Sequence, residues 1–201
     1  MRAILAMTVL GLALAPLAGC ATARKKKPPT RDPVDIVLEA AAGLMGSTKV
    51  VVDGRAFRSD CSGFVTGAYH AIRRDLIDPG VGGRSGTELL YRSFRSQGRI
   101  QSGKKLRRGD LLFFHNTWDR NRNGLRDDRF THVGLVERVE ADGRAWFLHF
   151  ASGRVKRAVI NLRHPAVSHD PDTGLEWNTP VRRGRGKTLT GQLFFRSARP
   201  L

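Results

Sequence analysis

The hydrophobic pattern of this chain changes character once, at the basic segment Gly103-Lys104-Lys105-Leu106-Arg107-Arg108. Before it, apolar residues recur at helical spacing. After it, they come in short runs broken by glycine, as strands do. Asp32 before Pro33 reads as an N-cap followed by proline at the first helical position, and Val34, Val37, Leu38, Ala41, Leu44 and Met45 fall on one face before Gly46. Residues 47–58 read as irregular or a short strand, with Val50, Val51 and Val52 ending at the turn signal Asp53-Gly54. A second helix opens at Asp60 or Cys61, with Phe64, Val65, Ala68, Tyr69 and Ile72 as its stripe, and a third covers residues 87–96. Strands follow over 111–114, 132–140, 146–151, 159–162 and 192–197. Asp142-Gly143 and Ser152-Gly153 break them at hairpin spacing, which predicts N-terminal helices packed on an antiparallel sheet, an α+β architecture.

The first residues have a different task. Met1 and Arg2 form a small positive region, and residues 3–18 are an apolar run too short to span a bilayer comfortably, as in an export signal. The run ends Leu17-Ala18-Gly19-Cys20, which resembles the lipobox of bacterial lipoproteins and implies removal of residues 1–19 and lipidation of Cys20. Residues 20–31 hold Arg24-Lys25-Lys26-Lys27-Pro28-Pro29, too polar and proline-rich to bury a core, and read as a flexible basic stalk. Residues 32–201 make one domain. No later stretch approaches the ~20 apolar residues of a spanning helix, so this domain is expected outside the cytoplasm, held to the membrane by acyl chains. Ala21 after Cys20 fits sorting to the periplasmic face of an outer membrane.

A formal charge of +17 favours anionic surfaces without choosing among them. Nucleic acid is set aside as a partner, because an exported lipoprotein would rarely meet it. With Cys20 lipidated, Cys61 is the single free thiol of an oxidising compartment. It is either a small buried hydrophobe or a nucleophile.

Ser59-Asp60-Cys61-Ser62-Gly63-Phe64-Val65 sets that thiol at a helix start, where unsatisfied N–H groups and the positive end of the macrodipole favour a thiolate. A free thiol titrates near pH ~8.5, and an imidazolium partner brings it lower. Downstream, Thr131-His132-Val133-Gly134 opens a strand with a histidine, the candidate base, followed by a glycine that lets another group approach closely. One hairpin later, Leu148-His149-Phe150 places a second histidine in an apolar strand, where it can orient the first. Each residue alone has an ordinary structural reading. A lone strand histidine is usually a satisfied core residue, and Asp110 reads as a turn-stabilising acceptor outside catalysis.

Taken in order, Asp60-Cys61-Ser62-Gly63, then Gly109-Asp110-Leu111-Leu112-Phe113-Phe114, then His132-Val133-Gly134, and His149 in the next strand resemble the NlpC-type family of cell-wall cysteine peptidases. The resemblance extends to a closing strand at residues 192–196 and covers most of residues 34–200. It implies a papain-like fold, catalytic Cys61, His132 and His149, no required cofactor, and hydrolysis of peptidoglycan stem peptides, often between γ-D-glutamate and a diamino acid. An activating or wall-binding partner protein fits the same setting. Two other readings keep the fold: an acyltransferase, although such families usually place histidine before cysteine, and a non-catalytic envelope-binding module.

Three departures from the family pattern stand out. Residues 49–58 lack the tyrosine and paired glycines that family members commonly carry before the cysteine. An insertion between Phe114 and His132 contains Asp119-Arg120-Asn121-Arg122-Asn123-Gly124-Leu125-Arg126-Asp127-Asp128, which alternates oxygen ligands before a glycine turn. That suits structural calcium held by Asp119, Asn121, Asn123, the Leu125 carbonyl and Asp127. It lacks the closing glutamate, Phe130 standing at that place, so a loop of Asx turns is the alternative. Finally, residues 164–187, with Trp177 and the basic run from Arg182 to Lys187, form either an exposed loop or a wall-binding element beside the cleft.

Overall fold

The computed structural model describes residues 31–182 and 188–201. The expected signal peptide, Cys20 and nearly all of the stalk lie outside them, as do residues 183–187 of the basic run.

Helix α1, Pro33–Gly43, starts as expected, with Asp32 Oδ1 accepting from the Val34 N–H at 2.9 Å. It is followed by a hairpin of β1, Val50–Val52, and β2, Arg55–Phe57. Its turn residues Asp53 and Gly54 both have positive φ, 50° and 75°, as a two-residue hairpin of this hand requires. Helix α2, Cys61–His70, and helix α3, Gly86–Ser96, complete the helical half.

The second half is made of strands β3 (Ile100–Gln101), β4 (Leu111–Phe114), β5 (His132–Val139), β6 (Arg144–Ala151) and β7 (Arg154–Asn161). A short ribbon of β8 (Pro180–Arg182) and β9 (Thr188–Leu189), the turn α4 (Thr190–Leu193) and strand β10 (Phe194–Ala198) close the chain. The main sheet has the order β3-β10-β4-β5-β6-β7, antiparallel throughout, so the α+β expectation holds. Two strands depart most from their expected limits. The run at 159–162 is only the end of β7, whose first half alternates exposed Arg154 and Arg157 with buried Val155 and masks the apolar pattern. Residues 190–193 turn helically, because the Leu189 N–H is bound by Gln192 Oε1 at 3.1 Å and the Thr190 hydroxyl donates to the Val159 carbonyl at 2.7 Å.

Alternation splits the sheet into two apolar faces. Leu111, Phe113, Val133, Leu135 and Leu148 pack with Val37, Leu38, Phe64, Val65 and Ala68 of α1 and α2. Leu112, Phe114, Val136, Phe147 and Ile160 form a second cluster with Leu193. Polar locks hold the segment before β4 to α2 and to Arg199 beyond β10. The Tyr69 hydroxyl donates to the Gly109 carbonyl, and Asp110, 1 % exposed, accepts from both Nε and Nη2 of Arg199 at 3.1 Å and from the Arg107 N–H at 2.9 Å. Asp110 is thus structural, as its sequence position suggests. Among the described residues, no helix is long and apolar enough to cross a membrane.

Candidate active site

The start of α2 is fixed by Asp60. Its Oδ1 accepts from the Gly63 N–H at 2.8 Å and from the Ser62 hydroxyl at 2.7 Å, and Arg58 pairs with Oδ2 at 2.9 Å. Burial works against the charge, but these donors and Arg58 win and hold the carboxyl below the usual carboxylate range. A side chain at position 63 would lie 2.0 Å from the Arg58 carbonyl, so only glycine lets the chain enter the helix this tightly. The result is Cys61 as the first helical residue.

Its sulfur has a neighbour that the sequence did not single out. Cys61 Sγ lies 3.6 Å from the Thr87 hydroxyl in the first turn of α3. That helix begins at Ser85, whose Oγ accepts from the Glu88 N–H at 3.2 Å. The spacing Ser85-x-x-Glu88 is a legible helix-start signature. What sequence cannot show is that Gly86 packs against Ser62, where a Cβ would be 2.2 Å from Oγ, bringing the starts of the two helices together.

Two effects act on the thiol in opposite directions. A helix start predicts a thiolate near neutrality, but burial pushes the Cys61 thiol up, with the Thr87 hydroxyl and the Val133 N–H opposing that only in part. Burial likewise lowers His132 to about 4. His149 is lowered well below its ordinary value by burial, then by the neighbouring His132 and by Lys156. Burial thus disfavours the charged form of all three groups.

The structure brings the three expected residues onto the wall of one cleft of about 740 Å³. His132 Nε2 and His149 Nδ1 are 2.8 Å apart. The β5–β6 register pairs Leu135 with Leu148, which makes the two histidines diagonal neighbours on one face, beside Phe114 and Phe147. Gly134 makes that face passable, since a Cβ there would meet Phe147 Cδ2 at 2.5 Å. With Nε2 engaged by His149, Nδ1 of His132 remains for a proton in transit, and a neutral His149 suits either tautomer of that bond.

The insertion closes on itself. The Phe130 N–H donates to His115 Nδ1 at 2.9 Å and the Thr131 N–H to the Phe114 carbonyl at 3.1 Å, which returns the chain to β5 with His132 as its first residue. Within the loop, Asp119 Oδ2 accepts from the Gly124 N–H at 2.8 Å, Asn121 Oδ1 from the Asn123 N–H at 3.1 Å, and Asn123 Oδ1 from the Leu125 N–H at 2.8 Å. Asp127 receives the amides of Asn123 at 3.0 Å and Asn121 at 3.4 Å. The alternation thus builds a chain of Asx turns. Asp119 Oδ1 is buried without a hydrogen-bond partner, and among the described residues no three His, Cys, Asp or Glu side chains gather as a metal site. Trp118 and Arg120 of this insertion reach the cleft.

The segment from residue 164 also reaches it. Buried Asn178 accepts from the N–H groups of Asn161 and Gly191 and donates to the carbonyls of His164 and Val167, and the next residues, Thr179 to Val181, line the cleft. No protein-family model matches this chain, and no curated protein is significantly similar to it. The arrangement sets a thiol at a helix start and a pair of touching imidazoles on the wall of one cleft, the groups that acyl transfer through a thioester would use.

Proposed function

We propose that this protein is a papain-like cysteine peptidase that hydrolyses amide bonds in peptidoglycan stem peptides, with Cys61 as nucleophile, His132 as base and His149 as the partner that orients His132. The observation that carries the reading is the 2.8 Å contact between His132 Nε2 and His149 Nδ1 in a cleft that also holds Cys61 as the first residue of α2. A histidine pair buried only for packing has no reason to share a cleft with the one free cysteine of the described chain.

The sulfur of Cys61 attacks the amide carbonyl carbon as its proton passes to His132 Nδ1. The Cys61 N–H, at the helix start, faces the developing oxyanion. Collapse breaks the C–N bond, and the proton on His132 goes to the leaving amine, leaving a thioester. Water then attacks that carbonyl and gives a proton to His132. The C–S bond breaks, the acid leaves, and the proton returns to sulfur. His149 keeps the His132 ring in one orientation throughout.

The γ-D-glutamyl–diamino acid bond is the preferred target, and lipid attachment through Cys20 on the periplasmic side of the outer membrane is its setting. Both rest on the resemblance of the motifs at Cys61, His132 and His149 and of the lipobox. Mass spectrometry of muropeptides incubated with the full chain, beside Cys61→Ala, tests the reading. Products that vanish in the variant support a peptidase and identify the bond. Intact muropeptides together with a Cys61 inert to iodoacetamide sink it in favour of an envelope-binding module.

A further inference from the structure

Resting on the reading of Cys61 as nucleophile, the structure assigns a part to Thr87. The residue is 4 % exposed, and among the described residues the sulfur of Cys61 is the only hydrogen-bond partner of its hydroxyl. A buried hydroxyl with a single partner is costly to misplace, and this one is held by two independent features. Ser85 caps α3 two residues earlier, and Gly86 removes the side chain that would keep α3 from touching Ser62.

The chemistry of the pair is asymmetric. While sulfur carries a proton, either atom can donate. Once sulfur has lost it, only the hydroxyl can. We propose that Thr87 is a positioning residue whose O–H donates to Cys61 as the proton leaves sulfur, so that charge on the nucleophile meets a donor from the start of α3 as well as the start of α2. The segment before Cys61 supplies no tyrosine, and this donor comes from the first turn of α3.

The test uses the full chain carrying Cys20→Ser, in which Cys61 is the sole thiol, and follows iodoacetamide alkylation against pH. Thr87→Val keeps the shape and removes the hydroxyl. It is expected to slow alkylation at neutral pH about tenfold and to move the profile to higher pH, a tenfold loss of thiolate corresponding to ~1 pH unit. Thr87→Ser is expected to restore the wild-type profile, and Thr87→Ala replaces the valine variant if circular dichroism shows the latter unfolded. A Thr87→Val profile that overlays the wild type overturns the proposal, as does a serine variant as slow as the valine one, which would assign the methyl group rather than the hydroxyl. Alkylation needs no substrate. A Thr87-dependent profile without muropeptide cleavage therefore sinks the peptidase reading alone, whereas a wild-type Cys61 that reacts at no pH sinks both.

Discussion

Nε2 of His132 and Nδ1 of His149 stand 2.8 Å apart, and among the described residues no carboxylate takes part in the pair. A carboxylate there would raise His132. A second imidazole does not, and burial brings His132 down to about 4. The acid limb of kcat/KM is therefore expected near that pH rather than near the ordinary histidine value of ~6.5. Below it His132 is already protonated and cannot take the proton of Cys61; above it the base is free. Because the rings are coupled, the limb belongs to the pair. A pH–rate profile checks this, and a limb near neutrality would contradict it.

Lys156 lies opposite His149 in the β6–β7 register and disfavours charge on that ring. Lys156→Glu reverses the sign. The expected result is an acid limb moved upward, with kcat at alkaline pH changed less than at acid pH. Lys156→Gln moves it in the same direction by less. The same pH–rate measurement reads both variants.

Asp110 is expected to matter for stability and not for chemistry. Its buried carboxylate is bonded to Arg199, and Asp110→Ala strands the arginine while opening a cavity, at about 3 kcal/mol. Urea unfolding measures the loss. Alkylation of Cys61 in the folded variant should proceed at the wild-type rate, and a large change there would bring Asp110 back toward the site.

Chelation by EDTA is expected to leave turnover intact, since no step of the proposed mechanism requires a metal. Structural calcium at Asp119, Asn121, Asn123, Leu125 and Asp127 is read separately, as a Tm that rises with calcium in the wild type and not in Asp119→Ala. An unchanged Tm assigns the loop to its own Asx turns.

The first two helices were legible because their signals are local, Asp32 with Pro33 and Asp60 before Cys61; the third, expected over 87–96, starts at Gly86 with Ser85 as its cap. The hairpin breaks at Gly143 and Gly153 were legible for the same reason. What sequence left out depends on packing between distant segments. Thr87 meets Cys61 only because Gly86 and Ser62 touch, and nothing in the spacing of residues 61 and 87 announces it. A helix start, which favours a thiolate, is visible in sequence, while the burial that opposes it is not. Asn178 reads as one more polar loop residue until its amide is seen to tie residues 161, 164, 167 and 191 together.

Strand β10 sits inside the main sheet, between β3 and β4, rather than at its rim. Its lock, Arg199 on Asp110, joins residues 89 apart in sequence. Closing so long a loop is entropically slow, and until it closes, the buried residues Leu111 to Phe114 lack one ladder neighbour. Assembly of the sheet thus waits on the C-terminal residues, and a nascent chain stopped short of Phe194 keeps a sticky, half-paired edge that only the arrival of its own tail can cover.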